Sequence, residues 1–287
     1  MELQKNVLLD KYTTMRIPGK ADYFLRAKNE EELIRAVSFS KEKGLPFFIL
    51  GAGSNTVPAK RYGGVVIKMD MKECSIEEDR SGFTVFADAG VSLVWLSREL
   101  TNKGAVSIEW GAGVPGTVGG AIYGNAGAFE RSMAELVTNV IAIDTENIEE
   151  LQLTNEECRF AYRDSVFKRK GNLVIISSEM RVPKGEGGAD RMAELLALRR
   201  ENHPSEPSAG SVFKNTGDVS SAYLIEQCGL KGKKKGGAQI SEKHANFIIN
   251  TGGATREDVE HLIDLAKKEV KKRFGVEIEE EVDLMMK

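Results

Sequence analysis

Apolar positions recur along the chain with two periods, and the change from one to the other marks its elements. Over 29–43, Leu33, Val37 and Ser40 fall on one stripe at helical spacing. Asn29 stands where a cap is needed, Glu32 follows three residues on as in a capping box, and Gly44 supplies a stop. After Pro46, Phe47-Phe48-Ile49-Leu50 predicts a short buried strand and Val65-Val66-Ile67 another, so the chain opens with α/β character. From about residue 72 the texture becomes α+β. Residues 83–87 alternate, 93–100 read as a helix, 140–144 and 149–153 as a strand pair, and 173–180 as a further strand. A helix over 189–202, carrying Met192, Leu195, Leu196 and Leu198, runs into the proline- and serine-rich link 203–208. The last helix is predicted over 255–273. Thr255 and Asp258 form its capping box, Val259, Leu262, Ile263, Ala266, Val270 and Phe274 its apolar face, and Gly275 its stop.

A chain of 287 residues exceeds one ordinary domain. The divisions expected are 1–71, 72–188 and 189–275, with the tail 276–287 packing back on the first. A net charge of −3 removes the general basic surface that grips a nucleic-acid backbone, and the short run Lys231–Lys235 reads as a solvated turn. Cys74, Cys158 and Cys228 are too far apart for a zinc knuckle or a disulfide framework, so small half-buried apolar residues are expected and no metal. The first twelve residues lack the apolar core of a signal peptide, and no stretch is long and apolar enough to span a bilayer. A cytoplasmic monomer without membrane or nucleic-acid partners is the expectation.

Five segments carry candidate chemistry. Gly51-Ala52-Gly53-Ser54-Asn55 follows a strand and suits an anion-binding nest, although a plain tight turn explains it as well. It is not the dinucleotide fingerprint, since the third glycine and a following helix are missing. The run Gly111–Gly127 is so rich in small residues that a flat ligand pressed on the backbone is its natural filler; a helix packed closely through small residues is the alternative. Arg163, within Tyr162-Arg163-Asp164-Ser165, offers a fork matched to a carboxylate, unless a surface pair with Asp164 consumes it. Ser211, within Ser208–Asn215, has small neighbours that leave its hydroxyl accessible but lacks a nucleophile elbow. The acidic end Glu277–Val282 reads by itself as an alternating strand with solvated glutamates.

Taken in order, these segments resemble the UDP-N-acetylenolpyruvoylglucosamine reductase family in its compact, type II form. The resemblance runs from Thr13–Ile17 and Ala21-Asp22 through the loop 51–55, Val114–Gly127, Tyr162–Ser165 and Ala209–Asn215. It continues through Leu224–Gly232, Gly236–Ala238, Lys243–Ala245 and Phe247–Asn250. It implies an α+β fold of the vanillyl-alcohol-oxidase type, with two subdomains around FAD and then a substrate-binding domain. The implied reaction is NADPH-dependent reduction of the enolpyruvyl ether of UDP-N-acetylglucosamine to the lactyl ether. Negative charge then develops beside the substrate carboxylate and calls for fixed donors. By resemblance Arg163 holds that carboxylate and Ser211 supplies the proton. Glu281 assists, donating a hydrogen bond if it is protonated. Gly51, Ala52, Gly53, Ser54 and Asn55, with Gly116, Thr117, Gly119 and Gly120, are the implied FAD contacts. Arg200, Asn215 and Gln227 are the implied substrate contacts.

The chain departs from the family's pattern at several positions. Thr216 replaces a proline, Glu280 a proline and Asp283 an arginine, His203 stands where lysine or glutamine is common, and Thr56-Val57 takes the place of the usual apolar pair after the 51–55 loop. These bear on substrate contacts more than on the reaction. Two other readings stand beside it: an FAD-dependent oxidase of the same fold acting on a sugar or hydroxy acid, and a catalytically inactive nucleotide-sugar binder.

Overall fold

The computed structural model describes residues 2–217 and 219–285. The chain forms two compact units. The first comprises Leu25–Ala52 and Val66–Arg199, with Glu2; the second comprises Leu3–Phe24, Gly53–Val65 and the chain from Arg200 on.

The first unit begins with helix α1, Glu30–Glu42, whose cap forms where the sequence places it. The Asn29 side chain accepts from the N–H of Glu32 at 2.9 Å. Glu32, however, reaches the N–H of Lys28 rather than that of the cap residue, so the box is displaced by one position. The predicted stripe is buried, with Ala36 added to it. The strand Phe47–Leu50 is less buried than predicted: only Leu50 is fully covered.

The centre of this unit is a five-stranded antiparallel sheet in the order Glu149–Thr154, Val137–Asp144, Leu173–Pro183, Gly82–Asp88, Cys74–Glu78. Its longest strand, Leu173–Pro183, buries Val174, Ile176, Ser178, Met180 and Val182. Helices α2 (Leu93–Asn102), α3 (Val118–Tyr123) and α4 (Val166–Lys170) belong to the same unit. Of these, α3 and α4 lie against that strand. Helix α5, Gly188–Asn202, buries Leu195, whereas Leu198, expected on its apolar face, is 42% exposed.

In the second unit the strand Gln4–Leu8 pairs antiparallel with Lys20–Phe24. A four-stranded antiparallel sheet follows the order Ser208–Ser211, Phe247–Asn250, Ala238–Ile240, Lys234–Lys235. Helices α6, Ser221–Gln227, and α7, Arg256–Phe274, cover it. The Thr255–Asp258 capping box forms in both directions, at 3.2 and 3.0 Å, and Gly275 ends α7 at φ 71°. Phe274 lies beyond the last buried residue, Val270, and is 38% exposed.

One contiguous apolar core joins Met15 and Ile17, Val57, Val212 and Phe213, the buried face of α7, and Ile278 and Val282. Burying a large side chain of this kind contributes about 1.5–3 kcal/mol, so distant parts of the sequence are held together by transfer from water. The acidic end is not the alternating strand its pattern suggests. It makes a single bridge, Phe213 with Glu280, and then a two-residue strand, Asp283–Leu284, parallel to Thr56–Val57. Its glutamates are paired rather than merely solvated: Glu277 with Lys271, Glu279 with Lys214 and Glu280 with Lys267. Arg256 fastens this end by donating to the carbonyls of Val57 and Met285, both at 2.9 Å. Among the described residues, no helix is long and apolar enough to cross a membrane.

Candidate active site

In the first unit, the two glycine segments meet. A Cβ placed on Gly51 would lie 2.7 Å from Thr117 Oγ1, so only glycine allows the strand end to approach the cap of α3 so closely. Gly119 packs against Ala89, where a Cβ would come within 2.6 Å of the alanine methyl. In this stretch the small residues therefore do serve close helix packing, the alternative open from sequence. Three amides of the run are already used within the protein. Val118 donates to Val91 O at 2.8 Å, Gly119 to Ala89 O at 2.9 Å and Gly120 to Thr117 Oγ1 at 3.3 Å. What remains toward solvent is bare backbone surface. Gly120 is exposed, a Cβ there would meet only Thr117 Oγ1 at 3.4 Å, and Gly51, Ala52 and Gly116 are half-buried. A thin planar ring and its phosphate chain can lie on such a surface where a side chain would hold them off. The residues fit FAD.

The end of the glycine run carries Arg163. Asn125 Nδ2 donates to Ala161 O at 2.9 Å, and Ser165 Oγ to Tyr123 O at 2.7 Å. An Arg163 guanidinium nitrogen donates to Gly127 O at 2.7 Å. Three bonds thus tie the turn 161–165 to 123–127, joining two segments that the sequence separates. Arg163 holds φ 55° and Asn125 φ 41°, conformations that cost a non-glycine residue about 1–2 kcal/mol. Strain of this kind concentrates at functional sites. The surface pair weighed for Arg163 is not made with Asp164, whose carboxylate is taken by Arg169. Asn125, buried and bonded on both faces of its amide, is a residue whose role the sequence hides, since there it is one more small member of a glycine run.

Arg199 is hidden in the same way. The arginine predicted at this point, Arg200, is exposed, and its carbonyl accepts from Lys243 Nζ at 2.6 Å. Its neighbour Arg199 packs its stem on Gly113, which has no side chain to hold it away. Burial alone lowers the Arg199 pKa, with no carboxylate among the described residues paired to it. A half-buried guanidinium without a counter-ion suits an incoming anion.

In the second unit the loop 51–55 continues as Gly53, Ser54 and Asn55. Gly53, at φ 65°, lies so close to Tyr12 that a Cβ would run into its carbonyl oxygen, and it accepts from Thr14 N at 3.1 Å. Gly53→Ala should therefore cost about 2–5 kcal/mol, from left-handed strain and forced overpacking together. Gly44→Ala, at φ 63° with nothing within 4 Å, should show the strain alone. Thermal midpoints of the two variants check this; equal losses would contradict it.

Beside this loop stand Ser211 and Glu281. Ser211 ends the strand Ser208–Ser211, opposite Phe247. Glu281 N–H donates to the carbonyl of Val212 at 2.7 Å, and Asn55 Nδ2 donates to Glu281 O at 2.9 Å. Gly210, at φ 79°, faces open space, where a Cβ would meet only Ser54 O, at 3.9 Å. The second unit thus gathers Ser54, Asn55, Ser211 and Glu281. Asp283, the departure at the end of this segment, donates its N–H to Asn55 O at 2.8 Å. Burial, with the charge of Asp283, pushes the Tyr62 hydroxyl up to about 12.

The remaining predicted contacts stand at the two ends of α6, Asn215 in the loop before it and Gln227 on it. Asn215 Oδ1 accepts from Ser221 N at 3.3 Å at the start of the helix, and exposed Gln227 is its last residue, with its carbonyl held by Arg273. A helix of this length is about 10 Å long, so a ligand touching both must be extended. Among the described residues no three His, Cys, Asp or Glu side chains gather to hold a metal ion.

The chain matches two family models. An FAD binding domain matches residues 21–146, and the C-terminal domain of UDP-N-acetylenolpyruvoylglucosamine reductase matches residues 202–285. The UDP-N-acetylenolpyruvoylglucosamine reductase of Caldanaerobacter subterraneus subsp. tengcongensis is 38% identical over 99% of this chain and 94% of its own length. That of Moorella thermoacetica is 38% identical over 99% and 93%. The crystal structure of the UDP-N-acetylenolpyruvylglucosamine reductase from Thermus caldophilus is similar with a TM-score of 0.82 and 30% identity, covering 100% of both chains. With this likeness along its whole length and a glycine surface suited to FAD, the chain belongs to the UDP-N-acetylenolpyruvoylglucosamine reductase family.

Proposed function

We propose that the chain reduces UDP-N-acetylglucosamine enolpyruvate to UDP-N-acetylmuramate, with NADPH as hydride source, in peptidoglycan precursor synthesis. It acts as a monomer in the cytoplasm, and cell shape and division depend on its product. Bound FAD supplies hydride transfer from NADPH to the terminal enolpyruvyl carbon. In this reading the stretches 1–71 and 72–188 hold the cofactor and 189–275 the nucleotide-sugar.

The protein's own groups manage charge and protons. As hydride adds to the terminal carbon, the double-bond electrons move to the carbon beside the carboxylate. Arg163 holds that carboxylate with its planar fork and stabilises the developing charge. Ser211 Oγ–H gives the proton to the same carbon and recovers one from solvent; a serine is a weak acid, but the substrate carbanion is a strong base. Glu281, which shares its backbone anchor with the Ser211 segment, donates a hydrogen bond in its protonated form. Arg200 meets the diphosphate, with the neighbouring Arg199 as a second cation for it, and Asn215 and Gln227 line an extended nucleotide-sugar.

The observation that carries this assignment is the bond from Glu281 N–H to Val212 O, which starts two residues far apart in sequence from adjacent backbone. The test is product analysis. Protein loaded with FAD and given NADPH and the enolpyruvyl substrate without oxygen should yield a product heavier by H₂, and in deuterium oxide one deuterium should enter at the carbon beside the carboxylate. Consumption of NADPH only with oxygen would favour an oxidase, and protein that takes up no flavin would favour an inactive binder.

A further inference from the structure

We infer that Asn246 is the positioning residue for Ser211, aiming its hydroxyl by imitating a neighbouring strand; this rests on the assignment of Ser211 as proton donor. The regular pairing of Ser208–Ser211 with Phe247–Asn250 is irregular between Ser208 and Ser211, where Gly210 takes φ 79°, and it stops at Ser211 opposite Phe247. Ser211 is thus the last residue of a loosened strand end, beside a glycine that leaves it room to swing.

Beyond that end, Asn246 takes over the ladder. Its carbonyl accepts from Val212 N at 2.8 Å, its Oδ1 accepts from Phe213 N at 2.9 Å, and its Nδ2 donates to Phe213 O at 2.8 Å. The side-chain amide therefore pairs with both backbone groups of Phe213 as a strand residue would. Asn246 is 4% exposed and Phe213 2% exposed, so water cannot replace these bonds.

The clamp is itself fixed. Ser241 Oγ accepts from the N–H groups of Lys243 and His244, at 3.1 and 3.3 Å, and Asn246 N–H donates to His244 Nδ1 at 3.3 Å. On the opposite side Val212 O receives Glu281 N–H at 2.7 Å. Val212 is held from two directions, and Ser211 inherits its position from it. The amide offers both a donor and an acceptor without titrating, whereas an ionised aspartate would set an oxygen against Phe213 O.

Misplacing a reacting group by about 1 Å costs on the order of 10²-fold in rate. In FAD-loaded Asn246→Asp, flavin reduction by NADPH should stay within about twofold of wild type, while reoxidation by the enolpyruvyl substrate slows about tenfold to a hundredfold. The solvent deuterium isotope effect on reoxidation should rise. In a Ser211→Ala background the same substitution should cost little more, because the hydroxyl it aims is gone. If Ser211→Ala is slow but Asn246→Asp slows it further by its full single-variant factor, the positioning role is overturned and the proton donor stands. If Ser211→Ala reoxidises like wild type, both are overturned. Asn246→Ser is read the same way if the aspartate variant does not fold. Failure of both to fold or to retain FAD assigns Asn246 to stability and overturns the inference.

Discussion

Ser211→Ala should take up FAD and be reduced by NADPH at close to the wild-type rate, yet pass hydride to the enolpyruvyl substrate about 10²–10⁴-fold more slowly, the usual worth of a placed general acid. The split follows from where a proton is needed. Reducing the flavin asks nothing of the Ser211 hydroxyl, whereas reducing the substrate leaves a carbanion that must be protonated. Removing one oxygen at the end of a strand leaves its backbone pairing with Phe247 and the Glu281–Val212 bond untouched, so a folding defect is not expected. Stopped-flow measurement of the two half-reactions separates the effects, and equal slowing of both would contradict the role.

The second large effect is expected at Arg163. Arg163→Lys keeps the charge but loses the fork, and the substrate half-reaction should fall about 10²-fold, as when one oxyanion donor is removed. Arg163→Gly sharpens the test. Glycine relieves left-handed strain of about 1–2 kcal/mol, which offsets part of what the lost side-chain contacts cost, the bond to Gly127 O among them. The glycine variant should therefore stay folded and take up FAD while its substrate half-reaction is largely lost. A strong loss of stability would make Arg163 a structural residue, and wild-type reoxidation in Arg163→Lys would refute its place at the carboxylate.

Much of the fold could be read from local pattern, because caps and periodicity report local physics. The Asn29 and Thr255 caps and the Gly275 stop all form, and the stripe Val259–Val270 is buried. The failures come where long-range packing decides. Phe274 and Leu198 fit a helical stripe but extend past the surface their helices cover. The acidic end alternates like a strand, yet its partners are lysines from α7 and the loop after Phe213, contacts no local window contains.

The candidate site divides in the same way. The glycine run announced close backbone approach, but not that α3 would consume its own amides. Arg163 and Ser211 came from resemblance. The features that hold them in place, Asn125 reaching Ala161 and Asn246 gripping Phe213, are single polar residues whose partners lie far away in the chain. Arg199 and Arg200 show the limit plainly: adjacent arginines are alike on paper, and only packing on Gly113 distinguishes them.

The proposed reaction depends on a flavin that accepts hydride from NADPH and yields it to the enolpyruvyl ether. The direct measurement is anaerobic: bleach the FAD-loaded protein with one equivalent of NADPH, then add UDP-N-acetylglucosamine enolpyruvate. The yellow colour should return once the substrate is added, and return about 10²-fold or more slowly in Ser211→Ala and Arg163→Lys. Colour that stays bleached until oxygen enters would contradict the account.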